Sequence, residues 1–254
     1  MVGKSLVGFV VGVLFIAACP VSSSALAISY DQCASCGNPG TALEVTVQGL
    51  FAGQTVAVGF VNNTITFDRI TQGPLTSVNA SVDKQFTLSQ STLFTGSFGN
   101  NFRALIEQNG NFYLAQILGP VIDVTIPTTS VSAPYATVSG TGLVASDFTL
   151  FDFATGTFGS THPDFAGAPL AFGLTSFTSL SAVSQVSNGT LVVHFDNLHW
   201  SDADILLDST FNLTDYTVVS TPTPEPSTLL LLGTGLAGLV GYGKRKLVRK
   251  ISPS

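Results

Sequence analysis

The densest group of residues that could do chemistry lies near the end of the polar part of the chain. Asp196, Asp202 and Asp204 place three carboxylates at close spacing, which makes a weak calcium-binding candidate. The order of an EF-hand loop, with its central glycine and closing glutamate, is missing. His194 and His199 are five residues apart and converge on a transition metal only by accident of the loop. We therefore expect a solvated turn and no resident metal or cofactor, with Ca²⁺ as the exception to test.

Catalytic signatures of hydrolases are weak in this sequence. Its three histidines, at positions 162, 194 and 199, are not accompanied by a Gly-x-Ser-x-Gly elbow that would expose a serine nucleophile. Glu44 and Glu107 have no local context that marks them as glycosidase acids, and Trp200 could stack on a sugar but is more typical of a core. The interpretation is a non-enzymatic protein without catalytic residues. A carbohydrate-active or other hydrolytic enzyme is the alternative, because glycosidase carboxylates can come from anywhere in a fold.

Cys33 and Cys36 form a Cys-x-x-Cys pair. Haem attachment needs a histidine directly after the second cysteine, and Gly37 stands there instead. Thioredoxin-like chemistry needs the pair at a helix N-terminus, whereas residues 37–40 are turn-forming. Zinc would need two more ligands, which no residue nearby in the sequence supplies. The pair therefore favours a disulfide formed in an oxidising compartment.

The elements that must position these residues are β-strands. Runs of β-branched and aromatic residues, separated by Gly, Asn, Asp and Pro, recur about every 8 to 12 residues, as in sandwiches and barrels. The pairs Asn109-Gly110 and Asn188-Gly189 predict tight hairpin turns, residues 201–207 are compatible with one helical turn, and residues 127–134 form a possible seam. We expect an all-β ectodomain, an antiparallel β-sandwich. The predicted strands are 43–48, 55–61, 64–70, 77–82, 84–88, 103–108, 112–118, 121–126, 136–139, 148–153, 171–177, 181–186, 190–195 and 216–219.

The charge of the folded part excludes one class of partner. Residues 28–220 contain three basic residues against fourteen acidic ones, a net charge of −11, whereas the whole chain has −6. Nucleic-acid phosphates require lysine and arginine, so no nucleic-acid partner is expected. An acidic surface on a secreted protein keeps it soluble by repulsion or binds divalent cations.

The N-terminus is typical of an export signal. Residues 1–27 contain a basic start, an apolar stretch over 6–18, and small residues at Ala25 and Ala27 where signal peptidase requires them. In an alternative interpretation, the apolar stretch ends in a sequence similar to a lipobox, which would make Cys19 a lipidated N-terminus. Either route leads out of the cytoplasm.

The C-terminus consists of three consecutive segments. A stalk over 220–226 carries alternating prolines, which keep the backbone extended. An uncharged apolar segment over 227–243 predicts a single transmembrane helix, of which residues 227–242 reach about 24 Å against a hydrocarbon core of about 30 Å. A basic tail over 244–254 follows and stays on the cytoplasmic side, so the residues before the helix face outward. Its stop-transfer residues are Lys244, Arg245, Lys246, Arg249 and Lys250.

The order Pro224-Glu225-Pro226, short apolar helix and terminal basic cluster resembles the PEP-CTERM sorting domain. The resemblance implies recognition by exosortase, a membrane-embedded cysteine protease or transpeptidase of the inner membrane of Gram-negative bacteria. It further implies processing near these three residues, a transient inner-membrane intermediate, and delivery to the cell surface or extracellular matrix. An ordinary single-span anchor with a proline-rich stalk is the alternative.

These observations together predict a domain order and a role. The expected role is a structural or glycan-binding one, linked through the resemblance to exopolysaccharide and biofilm. The predicted segments are a signal peptide (1–27), a β-sandwich ectodomain (28–219), the stalk (220–226), the transmembrane helix (227–243) and the basic cytoplasmic tail (244–254).

Overall fold

Two antiparallel β-sheets make up most of the protein. The computed structural model describes residues 26–33, 35–36, 42–50, 53–90, 96–115, 118–126, 130–182, 189–202, 205–209 and 213–222. In these ranges there are one short α-helix, α1 Arg69–Gln72, two 3-10 helices at Ala145–Asp147 and Leu213–Asp215, and fourteen strands. The strands are β1 Ala27–Cys33, β2 Ala42–Gln48, β3 Thr55–Phe67, β4 Val78–Gln90, β5 Gly96–Gln108, β6 Asn111–Ala115, β7 Leu118–Ile126, β8 Ser130–Leu143, β9 Phe148–Asp152, β10 Thr157–Phe158, β11 Leu170–Ala182, β12 Gly189–Asp202, β13 Ile205–Ser209 and β14 Tyr216–Ser220.

The strands divide into a six-stranded and an eight-stranded sheet. The first sheet has the order β1-β2-β12-β4-β8, with β13 paired to β12. The second has the order β10-β9-β6-β5-β11-β3-β14, with β7 paired to β5. Every pairing among the described strands is antiparallel. The prediction of an antiparallel, mostly β fold is therefore confirmed.

The main hydrophobic core lies between the two sheets. Successive strand residues point to opposite faces, so alternate apolar side chains of each sheet turn toward the other. Phe60 and Phe172 of the second sheet belong to the same buried cluster as Val193 of the first. Trp200 is fully buried there, with its ring centroid 4.8 Å from that of Phe172 and its indole N–H donated to the backbone oxygen of Gly173 at 3.2 Å.

The opposite face of the eight-stranded sheet has a smaller core of its own. Phe151 and Phe153, at the end of β9, pack there with Leu105 of β5. A Cβ atom on Gly59 of β3 would lie 2.7 Å from the ring of Phe153, so the ring occupies space that the glycine leaves open. Because β9 and β3 are separated by three strands in the sheet order, this contact shows that the sheet curls around the smaller core.

Several predicted strand boundaries are wrong because polar residues continue the strands. Residues 64–70 were expected to form a separate strand, but β3 runs through Asn62 to Phe67, and Ile70 lies in α1. The side chain of Asn62 accepts hydrogen bonds from the amides of Thr64 and Ile65, both at 2.9 Å, where the pairing of β3 with β11 shifts register between Val61 and Thr66. The predicted break at Asp83 is likewise absent, since β4 is continuous.

The predicted helical turn over 201–207 is also wrong in the described residues. Asp202 ends β12 and pairs with Ile205, the first residue of β13, so this segment forms a β-hairpin. The hairpin turn at Asn109 and Gly110 is confirmed by their positive φ angles of 54° and 78°. Of the other predicted turn, Asn188 lies outside the described residues. In the predicted seam, residues 130–134 belong to β8, and residues 127–129 also lie outside the described part.

No helix within the described ranges has the length and apolar character needed to cross a bilayer. The expected signal peptide up to residue 25 and the expected transmembrane segment over 227–243 fall outside those ranges.

Candidate functional site

The fold is closed at its C-terminal end by Thr221. After β14 pairs with β3, the amide of Thr221 donates to the backbone oxygen of Ala57 at 2.9 Å. The amide of Ala57 donates in return to the hydroxyl oxygen of Thr221 at 3.1 Å, and Thr221 is buried. Pro222, the next residue, is exposed. Within the described residues, the two-sheet fold therefore ends just before the first stalk proline.

The predicted sorting and anchoring residues follow this point. The motif residues Pro224, Glu225 and Pro226 and the basic cluster over 244–250 lie outside the described residues. At the other end, Ala25 is also outside, whereas Ala27 begins β1 and pairs with Gln48.

The Cys-x-x-Cys pair is part of a four-residue group on the outer face of the first sheet. Cys33 and Cys36 form a disulfide with Cα atoms 5.3 Å apart. Glu44 of β2 and His194 of β12 lie beside it, and one ligand atom from each of the four residues falls within 4.8 Å of the others. We call these four residues the Cys–Glu–His cluster.

Strand register explains why Glu44 and His194 meet. The two residues are direct cross-strand partners in the β2–β12 pair. Their neighbours Leu43, Val45 and Val193 are fully buried in the main core, so alternation turns Glu44 and His194 to the opposite face. Nε2 of His194 lies 2.9 Å from Oε2 of Glu44, while Nδ1 of His194 is buried without a hydrogen-bond partner among the described residues.

Sequence reasoning missed this cluster because its members are far apart in the chain. Glu44 and His194 are separated by 150 residues. Neither is close enough in sequence to Cys33 and Cys36 to form a recognisable zinc-binding spacing with both. Two local signals were present, since a glutamate and a histidine each stand at an outward position between core residues of a strand.

The acidic candidate Asp196 occupies a separate position, where β12 bulges. It pairs across the sheet with Asp83, and Asn197 beside it adopts a positive φ of 50° and donates its side-chain amide to Asp83 at 2.7 Å. The hydroxyl of Thr137 donates to the other oxygen of Asp83 at 2.6 Å. Burial, followed by the charges of Asp196 and Asp83, raises the pKa of Tyr135 to about 12, so its hydroxyl stays protonated.

The proposed calcium ligands are spread along β12 and beyond it. Asp196 and Asp202 lie on the same strand six residues apart, which corresponds to roughly 20 Å. Calcium binds its oxygen ligands at about 2.3 to 2.6 Å, and calcium binding by these residues stays a prediction. Asp204 lies outside the described residues.

Other candidates for chemistry have structural contacts. Nδ1 of His162 lies 2.6 Å from the backbone oxygen of Phe148, and Oε1 of Glu107 accepts from the amide of Gly110 at 2.6 Å. His199 is a half-buried residue of β12. Trp200 has no exposed surface with which to stack on a sugar.

Comparison with known proteins identifies the end of the chain. Residues 222–246 match the PEP-CTERM protein-sorting motif. The chain matches no curated protein and no solved structure. The matched segment begins at Pro222, the residue directly after Thr221, which closes the fold.

This motif is the recognition signal for exosortase, so exosortase is the processing partner of the chain. The protein is exported, and its processing is associated with the membrane of a Gram-negative bacterium.

Proposed function

We propose that this chain is a cell-surface or extracellular-matrix protein whose folded part has a structural or glycan-binding role linked to exopolysaccharide and biofilm. The single observation that carries the proposal is the position of the sorting motif, which starts directly after the buried, doubly hydrogen-bonded Thr221. Cleavage near Glu225 would therefore leave both sheets complete. The export intermediate spans the inner membrane once, through residues 227–243, before it is cut.

The surface charge supports a role in which the protein remains dispersed in a matrix. Of the three basic residues of the folded part, Lys84 is only 5% exposed and Arg103 is half-buried, which leaves Arg69 as the exposed cation. The remaining surface charge is acidic and keeps copies of the chain apart by repulsion. Because lysine and arginine are the usual contacts for acidic polymers, we expect a neutral glycan as the ligand.

Contacts within the described residues support a non-catalytic role for the folded part. Glu107 and His162 hold a turn and a loop, and Trp200 fills the core between the sheets. These three side chains thus have structural contacts in the described part of the fold.

The sorting step is tested in the producing bacterium with the variant Glu225→Gln. We expect wild-type cells to release a product that lacks the apolar segment and basic tail, whereas the variant and an exosortase-deficient strain should retain the full-length precursor in the inner membrane. Intact-mass measurement of the fractionated protein distinguishes the two species. Ser220→Ala, an exposed position just before the motif, is the matched control and should be processed normally. Equal processing of wild type and Glu225→Gln would reject the proposal.

The role of the folded part is tested with the processed protein and exopolysaccharide from the same cells. We expect the protein to co-sediment with the polymer without producing new reducing ends. Turnover of the polymer would establish the hydrolase alternative, and the absence of both binding and turnover would reject a glycan-binding role.

A further inference from the structure

The Cys–Glu–His cluster has the donor set of a zinc site. Zinc takes thiolate, imidazole and carboxylate ligands in a tetrahedron, with bonds of about 2.3 Å to sulfur and about 2.0 to 2.2 Å to nitrogen and oxygen. In such a tetrahedron the ligand atoms lie about 3.4 to 3.8 Å apart. The four ligand atoms of Cys33, Cys36, Glu44 and His194 lie within 4.8 Å of one another, and once the S–S bond is broken the two sulfurs must separate from bonding distance to about 3.8 Å to bind one ion.

We propose that, when the Cys33–Cys36 disulfide is reduced, these four residues bind one zinc-class divalent ion. In the oxidised state the two sulfurs are bonded to each other and are not available as thiolates. A dithiol reductant supplies two electrons and two protons, which breaks the S–S bond to give two thiols while the reductant becomes a disulfide. Binding of the metal then releases the two thiol protons, because the thiolate is the form that ligates.

The histidine is prepared for this role by its surroundings. Its side chain is 14% exposed, and that of Glu44 is 35% exposed, so both are accessible from one side and shielded on the other. The ring has one nitrogen in contact with Glu44 and a second, buried nitrogen without a partner among the described residues. A metal ion would replace the contact between His194 and Glu44 with a bond to each of them, and the two thiolates would complete its ligands. In many metal sites the ligands are oriented by just such hydrogen-bonded neighbours.

The two states fasten the N-terminal edge of the first sheet differently. β1 is an edge strand that pairs only with β2 in the described sheet. The disulfide joins two residues that are three positions apart in the sequence, and it ties Cys33 only to Cys36. A metal ion would instead join the end of β1 to β2 through Glu44 and to β12 through His194. The metal-bound state should therefore hold β1 more firmly to the sheet.

The binding experiment uses the full-length protein in detergent micelles, reduced with a phosphine and titrated anaerobically with Co²⁺ as a spectroscopic probe for zinc. We expect one Co²⁺ per chain, with a thiolate charge-transfer band and the intense visible bands of a tetrahedral ion, and displacement of the Co²⁺ by Zn²⁺. The oxidised protein should show neither band. His194→Asn and Glu44→Gln should each weaken binding by at least about tenfold. His199→Asn, on the same strand, is the matched control and should bind like wild type.

A second measurement tests whether the metal ion holds β1 to the sheet. Zn²⁺ added to the reduced protein should slow amide hydrogen exchange in β1, and it should not do so in His194→Asn. The proposal is overturned if the reduced chain binds no Co²⁺, if it loses its β-sheet circular dichroism on reduction, or if His194→Asn and Glu44→Gln bind as tightly as wild type. The last result would show that the two cysteines alone hold the ion adventitiously. None of these outcomes depends on the sorting tail.

Discussion

The two faces of the eight-stranded sheet each bury one cation, and they do so by different means. The face toward the first sheet receives Lys84, which is 5% exposed. The face toward the smaller, curled core carries Arg103. Within the described part of the chain neither residue forms an ion pair with a carboxylate. The contrast between them shows how a fold can tolerate a buried positive group without a counter-ion.

Lys84 is accommodated because burial favours its uncharged, deprotonated form. Its Nζ donates to the backbone oxygen of Asn100 at 2.8 Å. The side chain of Asn100 in turn donates to the hydroxyls of Ser176 and Thr178, at 3.1 and 2.7 Å. Burial lowers the pKa of Lys84 to about 7, because the core disfavours the charged form. Near neutral pH a substantial fraction of the buried amine is therefore uncharged.

Arg103 is accommodated by aromatic rings. Its guanidinium carbon lies 4.7 Å from the ring centroid of Phe177 and 5.1 Å from that of Phe158, and Nη1 donates to the backbone oxygen of Ala115 at 3.3 Å. Burial lowers the pKa of Arg103, yet a guanidinium does not lose its proton in proteins, so the charge must be stabilised in place. The negative faces of the two rings provide that stabilisation.

The largest expected effect is a loss of stability when a methyl group is added at Gly173. A Cβ atom on Gly173 would lie 1.9 Å from the backbone oxygen of Phe60, so Gly173→Ala must separate β11 from β3. We expect a loss of about 4 kcal/mol or more in the free energy of unfolding, measured by urea denaturation. Gly59→Ala is the matched control, because its Cβ meets side chains, which can move, and it should cost about 1 to 3 kcal/mol. Equal costs for the two variants would contradict the packing described for this face.

The next prediction tests the lowered pKa of Lys84 through the pH dependence of stability. A folded-state pKa of about 7 against an ordinary 10.5 means that the unfolded chain binds the proton more tightly. The contribution of Lys84 to stability should therefore rise as pH increases from 7 toward 10.5, by about 1 kcal/mol per pH unit. Lys84→Met should remove this dependence and be more stable than wild type below pH 7. A difference between variant and wild type that stays constant from about pH 6 to 10 would disprove the lowered pKa.

The smallest effect tests the arginine. Arg103→Gln removes the cation from between Phe158 and Phe177 and should lower stability by about 1 to 2 kcal/mol. Because the guanidinium stays charged, this loss should not change over the pH range in which Lys84 titrates. Arg69→Gln, at the exposed cation, should change stability by less than about 0.5 kcal/mol. A loss of stability on Arg103→Gln that changes with pH would contradict the difference between the two cations, of which only Lys84 is expected to lose its proton.

The sequence predicted the fold class because alternation and turn residues are local signals. Asn109 and Gly110 form the expected hairpin turn, and the apolar positions of β2 and β12 alternate as a half-buried strand requires. Boundaries failed where a polar residue had a partner within the sheet. Asp83 looks like a break in the sequence but is held inside β4 by Thr137 and Asn197 from neighbouring strands.

The candidate site was predicted only at its cysteines. Cys33 and Cys36 are close in sequence and carry a recognisable spacing, whereas Glu44 and His194 meet through the pairing of β2 with β12. The sorting tail is the opposite case, since its order of segments is a linear signal that needs no tertiary structure to be read.

If the predicted signal peptide is removed, the burial of Leu26 bears on where it is cut. Leu26 is 5% exposed and belongs to the main core, directly before β1. A cut after Ala27 would discard that side chain and the first residue paired with Gln48. Ser23 and Ala25 are also small residues with the spacing that signal peptidase accepts, and a cut after Ala25 would keep both. A cut after Ala25 would therefore preserve both the core contact of Leu26 and the strand pairing of Ala27, whereas the expected cut after Ala27 would lose both.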